Sequence, residues 1–201
     1  FIKLLAGRVG QPVNLNSLAN DTGVSSTTLA GWLSILEASY IIFRLPPYYN
    51  NYGKRLIKSP KIYFMEPGLL TWLLGIERKE QVLRDPLYGN IFENLVIVEL
   101  LKERYNKAHD PGLYFWRDNN RNEVDLLLER NRRPIPIEIK SSMTWNSTFT
   151  QGIMRFQQRI PTALPGFVIY AGELSPRDAY YQALHYTQIS HLLASLDIPN
   201  F

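Results

Sequence analysis

The stretch "NEVDLLLERNRRPIPIEIKSS", residues 122–142, constrains this chain more than any other. It holds two apolar runs of alternating pattern joined by a short polar turn, the signature of a hairpin whose two stripes share one core. Val124, Leu126 and Leu128 fall on one face of the first run, and Asp125 on the other. In the second run Ile135, Ile137 and Ile139 share a face, while Glu138 and Lys140 lie opposite. Burying both stripes together fixes the register to every second possibility, because a slip of one residue turns each side chain to the other face. A two-residue turn at Asn131-Arg132 sets Asp125 against Glu138; the neighbouring allowed register sets it against Lys140. Opposed side chains have Cβ atoms roughly 5 Å apart, so two acids there destabilise the sheet unless something compensates. Lys140 can neutralise one of them, and a hard divalent cation with oxygen ligands would compensate both. The same three residues also fit a structural ion pair on a partly exposed sheet face.

Around this hairpin, "LYGNIFENLVIVELLKER" (87–104) is apolar almost all round and predicts a buried helix. "GLYFWRD" and "GFVIYAG" read as further strands, with a helix from about Asn146 to Arg159 between the hairpin and the second, and "SHLLASL" as a last helix. The predicted order is helix, three strands, helix, strand: an α/β (α+β) core with a mainly antiparallel meander. Trp116 and Trp145 are expected as core or rim packing, and Glu123, at the start of its strand or on its apolar side, as no ligand. Arg117 and Arg121, near strand ends, could meet a phosphate or solvent.

The first part of the chain reads differently. "NLNSLANDTGVSSTTLAGWLSIL" predicts two short helices with a glycine stop between them and Ser25 or Ser26 as the second N-cap. That is a helix-turn-helix pattern. "YIIFRL" and "KIYFM" follow as strands around "PPYYNNYGKRLIKSP", which looks like the wing of a winged-helix domain. From Ala38 to Met65 there is no acidic residue, whereas Arg44, Lys54, Arg55, Lys58 and Lys61 are interleaved with Tyr40, Tyr48, Tyr49, Tyr52 and Tyr63. Basic groups neutralise phosphates and tyrosines stack on bases, so these five cations are candidate nucleic-acid contacts. A solvated hairpin whose tyrosines pack on neighbouring helices accounts for the same residues. Residues 1–85 hold 10 Lys+Arg against 6 Asp+Glu and residues 86–201 hold 12 against 12, so the whole net charge of +4 lies in the first part. The organisation expected is a winged-helix-like domain at 1–66, a connector helix at 67–85, and an α/β domain at 86–201.

Several classes are excluded. Without cysteine there is no disulfide framework or zinc–thiolate site. His109, His185 and His191 have no ligand-like spacing, and no phosphate-binding loop of the G-x-x-x-x-G-K-[ST] type is present. No apolar run is long enough to span a bilayer. The chain begins at Phe1 without a signal-peptide pattern and reads as a piece of a longer cytoplasmic protein with no membrane partner.

Asp125, then a Glu-x-Lys element on the next strand, resembles the PD-(D/E)XK (restriction-endonuclease-like) nuclease superfamily. The wider pattern "GNIFENLVIVELL … LYFWRDNNRNEVDLLLE … PIPIEIKSS" is similar to the C-terminal module of prokaryotic AAA-type ATP-binding proteins, in which a winged-helix segment separates the ATPase from a nuclease-like module. The resemblance covers nearly the whole chain, although Val124 stands where the superfamily's signature has proline. It implies a mixed sheet flanked by helices, with Asp125 and Glu138 as ligands of Mg²⁺ or Mn²⁺. It also implies Glu93 as the helix acid completing the site, and Lys140 positioning the attacking water. ATP would bind only in a preceding N-terminal domain, the partner of this region in the same protein. By helical spacing alone Glu99 has a claim comparable to that of Glu93. The expected function is metal-dependent phosphodiester hydrolysis on nucleic acid. The alternative is a catalytically inactive module that binds nucleic acid or protein and regulates the ATPase.

Overall fold

The computed structural model describes residues 1–48, 59–190 and 192–193. The expected basic loop, with Tyr49, Tyr52, Lys54, Arg55 and Lys58, lies outside the described residues, as does most of the predicted last helix.

The first part opens with a short helix, α1 (Ile2–Ala6), followed by α2 (Leu15–Thr22) and α3 (Ser26–Ala38). Their boundaries follow from local chemistry. The Asn14 side chain accepts the Ser17 N–H at 3.0 Å and starts α2, Gly23 ends it at φ 69°, and Ser25 accepts the Thr28 N–H at 3.2 Å to start α3. Strands β1 (Ile42–Leu45) and β2 (Lys61–Phe64) then pair antiparallel, Ile42 against Phe64 and Leu45 against Lys61. Two helices complete this part: α4 (Pro67–Leu73), with proline in its first turn, and α5 (Lys79–Val82).

The long helix α6 (Tyr88–Asn106) leads into a five-stranded mixed sheet. Its strands are β3 (Leu113–Arg117), β4 (Glu123–Arg130), β5 (Arg133–Lys140), β6 (Gly166–Tyr170) and β7 (Tyr181–His185), adjacent in chain order. The first three run antiparallel, but β5–β6 and β6–β7 are parallel. The expected meander thus covers only half of the sheet. After β5 the chain crosses back through a 3₁₀ turn at Ser147–Thr150 and helix α7 (Gln151–Arg159), the kind of connection that parallel neighbours require. Strand β7 is an addition to the sequence reading: only Ala183 of "YQALH" is buried, so no apolar alternation marks it.

The hairpin register is the one that opposes Asp125 and Glu138. Leu126 pairs with Ile137 and Arg130 with Arg133, leaving a two-residue turn in which Asn131 and Arg132 both adopt left-handed backbone, φ 51° and 62°. Two positive φ values in succession are those of a type I′ turn, whose twist matches the strands it joins. Both faces of the hairpin are covered. Leu126, Leu128, Ile135 and Ile137 join α6 and the N-terminal helices in one continuous core that includes Leu18, Leu29 and Leu100. A second cluster joins Leu127, on the other face, and Val124 to Trp116, Phe156 and Ile160.

The two parts are also fastened by polar groups. Buried Asn94 of α6 accepts the Phe64 N–H at 2.7 Å and donates to the Phe64 carbonyl at 3.0 Å, closing both backbone valences at the end of β2. One turn earlier, Asn90 donates to the Val9 carbonyl at 3.1 Å. Among the described residues no helix is long and apolar enough to cross a membrane.

Candidate acidic site

Strands β4 and β5 bring Asp125, Glu138 and Lys140 together. The Lys140 ammonium donates to Oδ2 of Asp125 at 2.8 Å and to Oε2 of Glu138 at 2.5 Å. Asp125 Oδ2 also accepts the Ile139 N–H at 2.8 Å, which locks the aspartate onto the backbone between the other two residues. Glu138 is buried, its other oxygen lying against the backbone of Gly152 in α7. Helix α7 thus covers Glu138, whereas Lys140 keeps 30% of its side chain exposed.

A second half of the cluster comes from farther away. Lys61 of β2 reaches Oε1 of Glu123 at 2.5 Å and Oε1 of Glu93 at 3.2 Å, and its ammonium lies 5.4 Å from the centre of the Phe115 ring. The Tyr63 hydroxyl, two residues along the same strand, donates to Glu93 Oε1 at 2.5 Å. Lys61 is not a surface cation available to phosphate: it is 3% exposed and committed to two carboxylates. Tyr63 is fully buried and cannot stack on a base. Glu123, read as no ligand, belongs to the cluster. That Lys61 and Tyr63 share a strand face was readable from their spacing; that the face meets Glu93 was not.

The charges interact. Burial alone would raise the Asp125 carboxyl, but the Lys140 and Lys61 ammoniums and the Ile139 N–H hold it below the usual aspartate range. Glu138 is pushed well above the usual glutamate range by burial and by the neighbouring Asp125 charge. Glu93 is raised mainly by burial, with Asp125 adding to the effect against Lys61 and Tyr63. Both lysines are held charged by their acids despite burial. The donor set, carboxylate oxygens on adjacent strands, is of the kind a hard divalent cation takes, and an ammonium already bridges two of them. Among the described residues no three acids or histidines converge as a ready-made metal nest.

Of the other candidates, Glu99 pairs with Lys102 at 3.2 Å, so α6 turns Glu93 rather than Glu99 toward the cluster. Arg117 approaches Glu123 at 3.6 Å, on the rim. Arg121 is exposed in the turn before β4, where its φ is 62°. Arg44 pairs with Glu37, remote from these acids in the N-terminal part. Trp116 stacks edge-on against Phe156, and Trp145 against Phe149 and Tyr170, both as packing.

Residues 88–189 match a family model described as a domain of unknown function, DUF4143, and residues 1–80 match a second such domain, DUF8612. An uncharacterized protein of Mycobacterium tuberculosis is 36% identical over 141 residues, 70% of this chain and 31% of the relative. An uncharacterized protein of Methanocaldococcus jannaschii is 30% identical over 118 residues, 55% of this chain and 24% of the relative. One from Haemophilus influenzae is 23% identical over 161 residues, 78% and 37% respectively. The matched region is thus a minor part of these relatives' length. No solved structure matches.

Proposed function

The chain belongs to the DUF4143 family, and from that premise we propose that its sheet and α6 form a PD-(D/E)XK-type core hydrolysing phosphodiesters of nucleic acid. In this reading α2, α3, β1 and β2 form a winged helix, and both modules serve an AAA-type ATPase in a longer protein. The observation that carries it is the meeting of Asp125, Glu138 and Lys140 within 2.8 Å on adjacent strands. Asp125 and Glu138 would hold Mg²⁺ or Mn²⁺, which when bound supplies Lewis acidity toward the phosphodiester. Lys140, displaced from between the two acids, would orient the attacking water and offset charge on the phosphate. Glu93, on the helix, would keep the carboxylates oriented, and Arg117 and Arg121 at the rim would meet the backbone of the nucleic acid. Calorimetric titration of Mn²⁺ into the chain, beside Asp125→Ala, tests this: saturable binding that the variant loses supports it, and no binding at millimolar Mn²⁺ in either sinks it. Cleavage of defined single- and double-stranded DNA and RNA would follow.

A second reading, a non-catalytic module that binds nucleic acid or protein and regulates the ATPase, draws on a specific observation. Both bridging positions among the four acids are taken by ammonium groups. It expects salt-sensitive nucleic-acid binding that Asp125→Ala leaves unchanged.

A further inference from the structure

Lys61 is a strange residue to bury. It comes from the N-terminal part, yet its ammonium is spent wholly on acids of the C-terminal part, at 2.5 Å from Glu123 and 3.2 Å from Glu93. The strand carrying it is not free to drift, since Asn94 of α6 clamps both backbone groups of Phe64 and Tyr63 donates to Glu93. Each of the two ammoniums bridges two of the four carboxylates, so each influences whether a divalent cation is tolerated there.

We infer that Lys61 is a positioning residue of the acidic site: it holds Glu93 and Glu123 to itself and thereby sets the affinity of the Asp125–Glu138 pair for a divalent cation. The inference rests on the metal-site reading above. With Lys61 in place, Glu93 is drawn toward β2 and a positive charge stands inside the cluster, where low dielectric screens it little. Glu123, which Lys61 holds, stands two residues before Asp125 on β4, so the two carboxylates share one face of that strand. With that charge gone, Glu93 and Glu123 add their negative potential to the cation site. The N-terminal part thus acts as the setting element, and any event that shifts β2 on α6 alters cation occupancy across the boundary between the two parts.

The test compares Mn²⁺ binding to the wild-type chain, Lys61→Met and Lys61→Arg. The methionine variant, similar in length and without charge, is expected to bind about tenfold tighter or more, while the arginine variant stays close to wild type. Wild-type binding that Lys61→Met leaves equal or weaker overturns the inference and spares the metal site. Absence of binding in all three overturns the metal reading itself. Should the methionine variant not fold, the wild-type chain labelled with ¹³C-lysine and titrated with Mg²⁺ decides the matter. Saturable, concerted shifts of the Lys61 and Lys140 Cε resonances support the coupling, a shift of Lys140 alone overturns it, and silence of both removes the metal site.

Discussion

A Cβ on Gly152 would stand 1.8 Å from Oε1 of Glu138 and 2.7 Å from the carbonyl oxygen of Glu123. The first contact could relax by moving a carboxylate, but the second is with backbone. Gly152→Ala is therefore expected to cost about 1–3 kcal/mol, the usual range for overpacking. The urea midpoint measures that cost. Because Glu138 must move, the variant should also bind Mn²⁺ more weakly than wild type in the same titration.

Lys140→Ala leaves buried Glu138 and Asp125 facing each other without their shared cation. Breaking such a pair by removing one partner is expected to cost about 2 kcal/mol, below the fully buried case because Lys140 keeps 30% exposure. If the two acids are a metal site, Mn²⁺ should restore much of that stability. If they are only an ion pair, thermal melts with and without Mn²⁺ will coincide.

Asn94→Ala removes the acceptor and the donor that satisfy Phe64, at 2.7 and 3.0 Å, in a fully buried position. Two backbone groups lose their partners, so about 2–4 kcal/mol of stability should disappear. Amide exchange at Phe64 should accelerate more than exchange in β5, because the clamp joins β2 to α6.

The raised carboxyls predict a pH dependence with a defined sign. Glu93 and Glu138 titrate above their usual 4.5 when folded, so the native state binds more protons than the unfolded chain just above that pH. Their contribution is full below 4.5 and is lost as pH rises through the folded values. Asp125, held below 3.8, contributes above 3.8 and loses its contribution as pH falls through its lower folded value. Urea midpoints should accordingly rise as pH is lowered toward 4.5 and fall again below 3.8. Glu138→Gln should flatten the first limb and leave the second; an unchanged first limb would show that Glu138 is not the group responsible.

Nucleic-acid binding by the basic segment is checked through salt. If Lys54 and Arg55 contact phosphates, changing both to alanine should lower the slope of log affinity against log salt by about 2 for duplex DNA. An unchanged slope removes these residues from the interface.

Local chemistry was legible in the chain because its causes are local. Asn14, Gly23 and Ser25 bound the first helices through hydrogen bonds and backbone freedom within a turn of each other. The alternation of Val124, Leu126 and Leu128 with Ile135, Ile137 and Ile139 restricted the hairpin to a few registers, and the left-handed pair Asn131-Arg132 selects the one that opposes Asp125 and Glu138. Strand β7 escaped notice because an edge strand with one buried residue carries no apolar period. The parallel pairing of β5 with β6 depends on where α7 packs rather than on either strand's residues.

Two of the acids and their lysine were therefore marked by the sequence itself, through a spacing that puts like charges on one strand face. The other half of the cluster was decided only by tertiary structure. Spacing could not choose between Glu93 and Glu99, because a helix apolar nearly all round presents no single stripe to orient it. Nor could composition separate Lys61 from the basic residues near it. Burial makes the difference: the packing of β2 on α6 removes Lys61 from water, and a charge so removed must find its opposites, here Glu93 and Glu123, wherever the fold has put them.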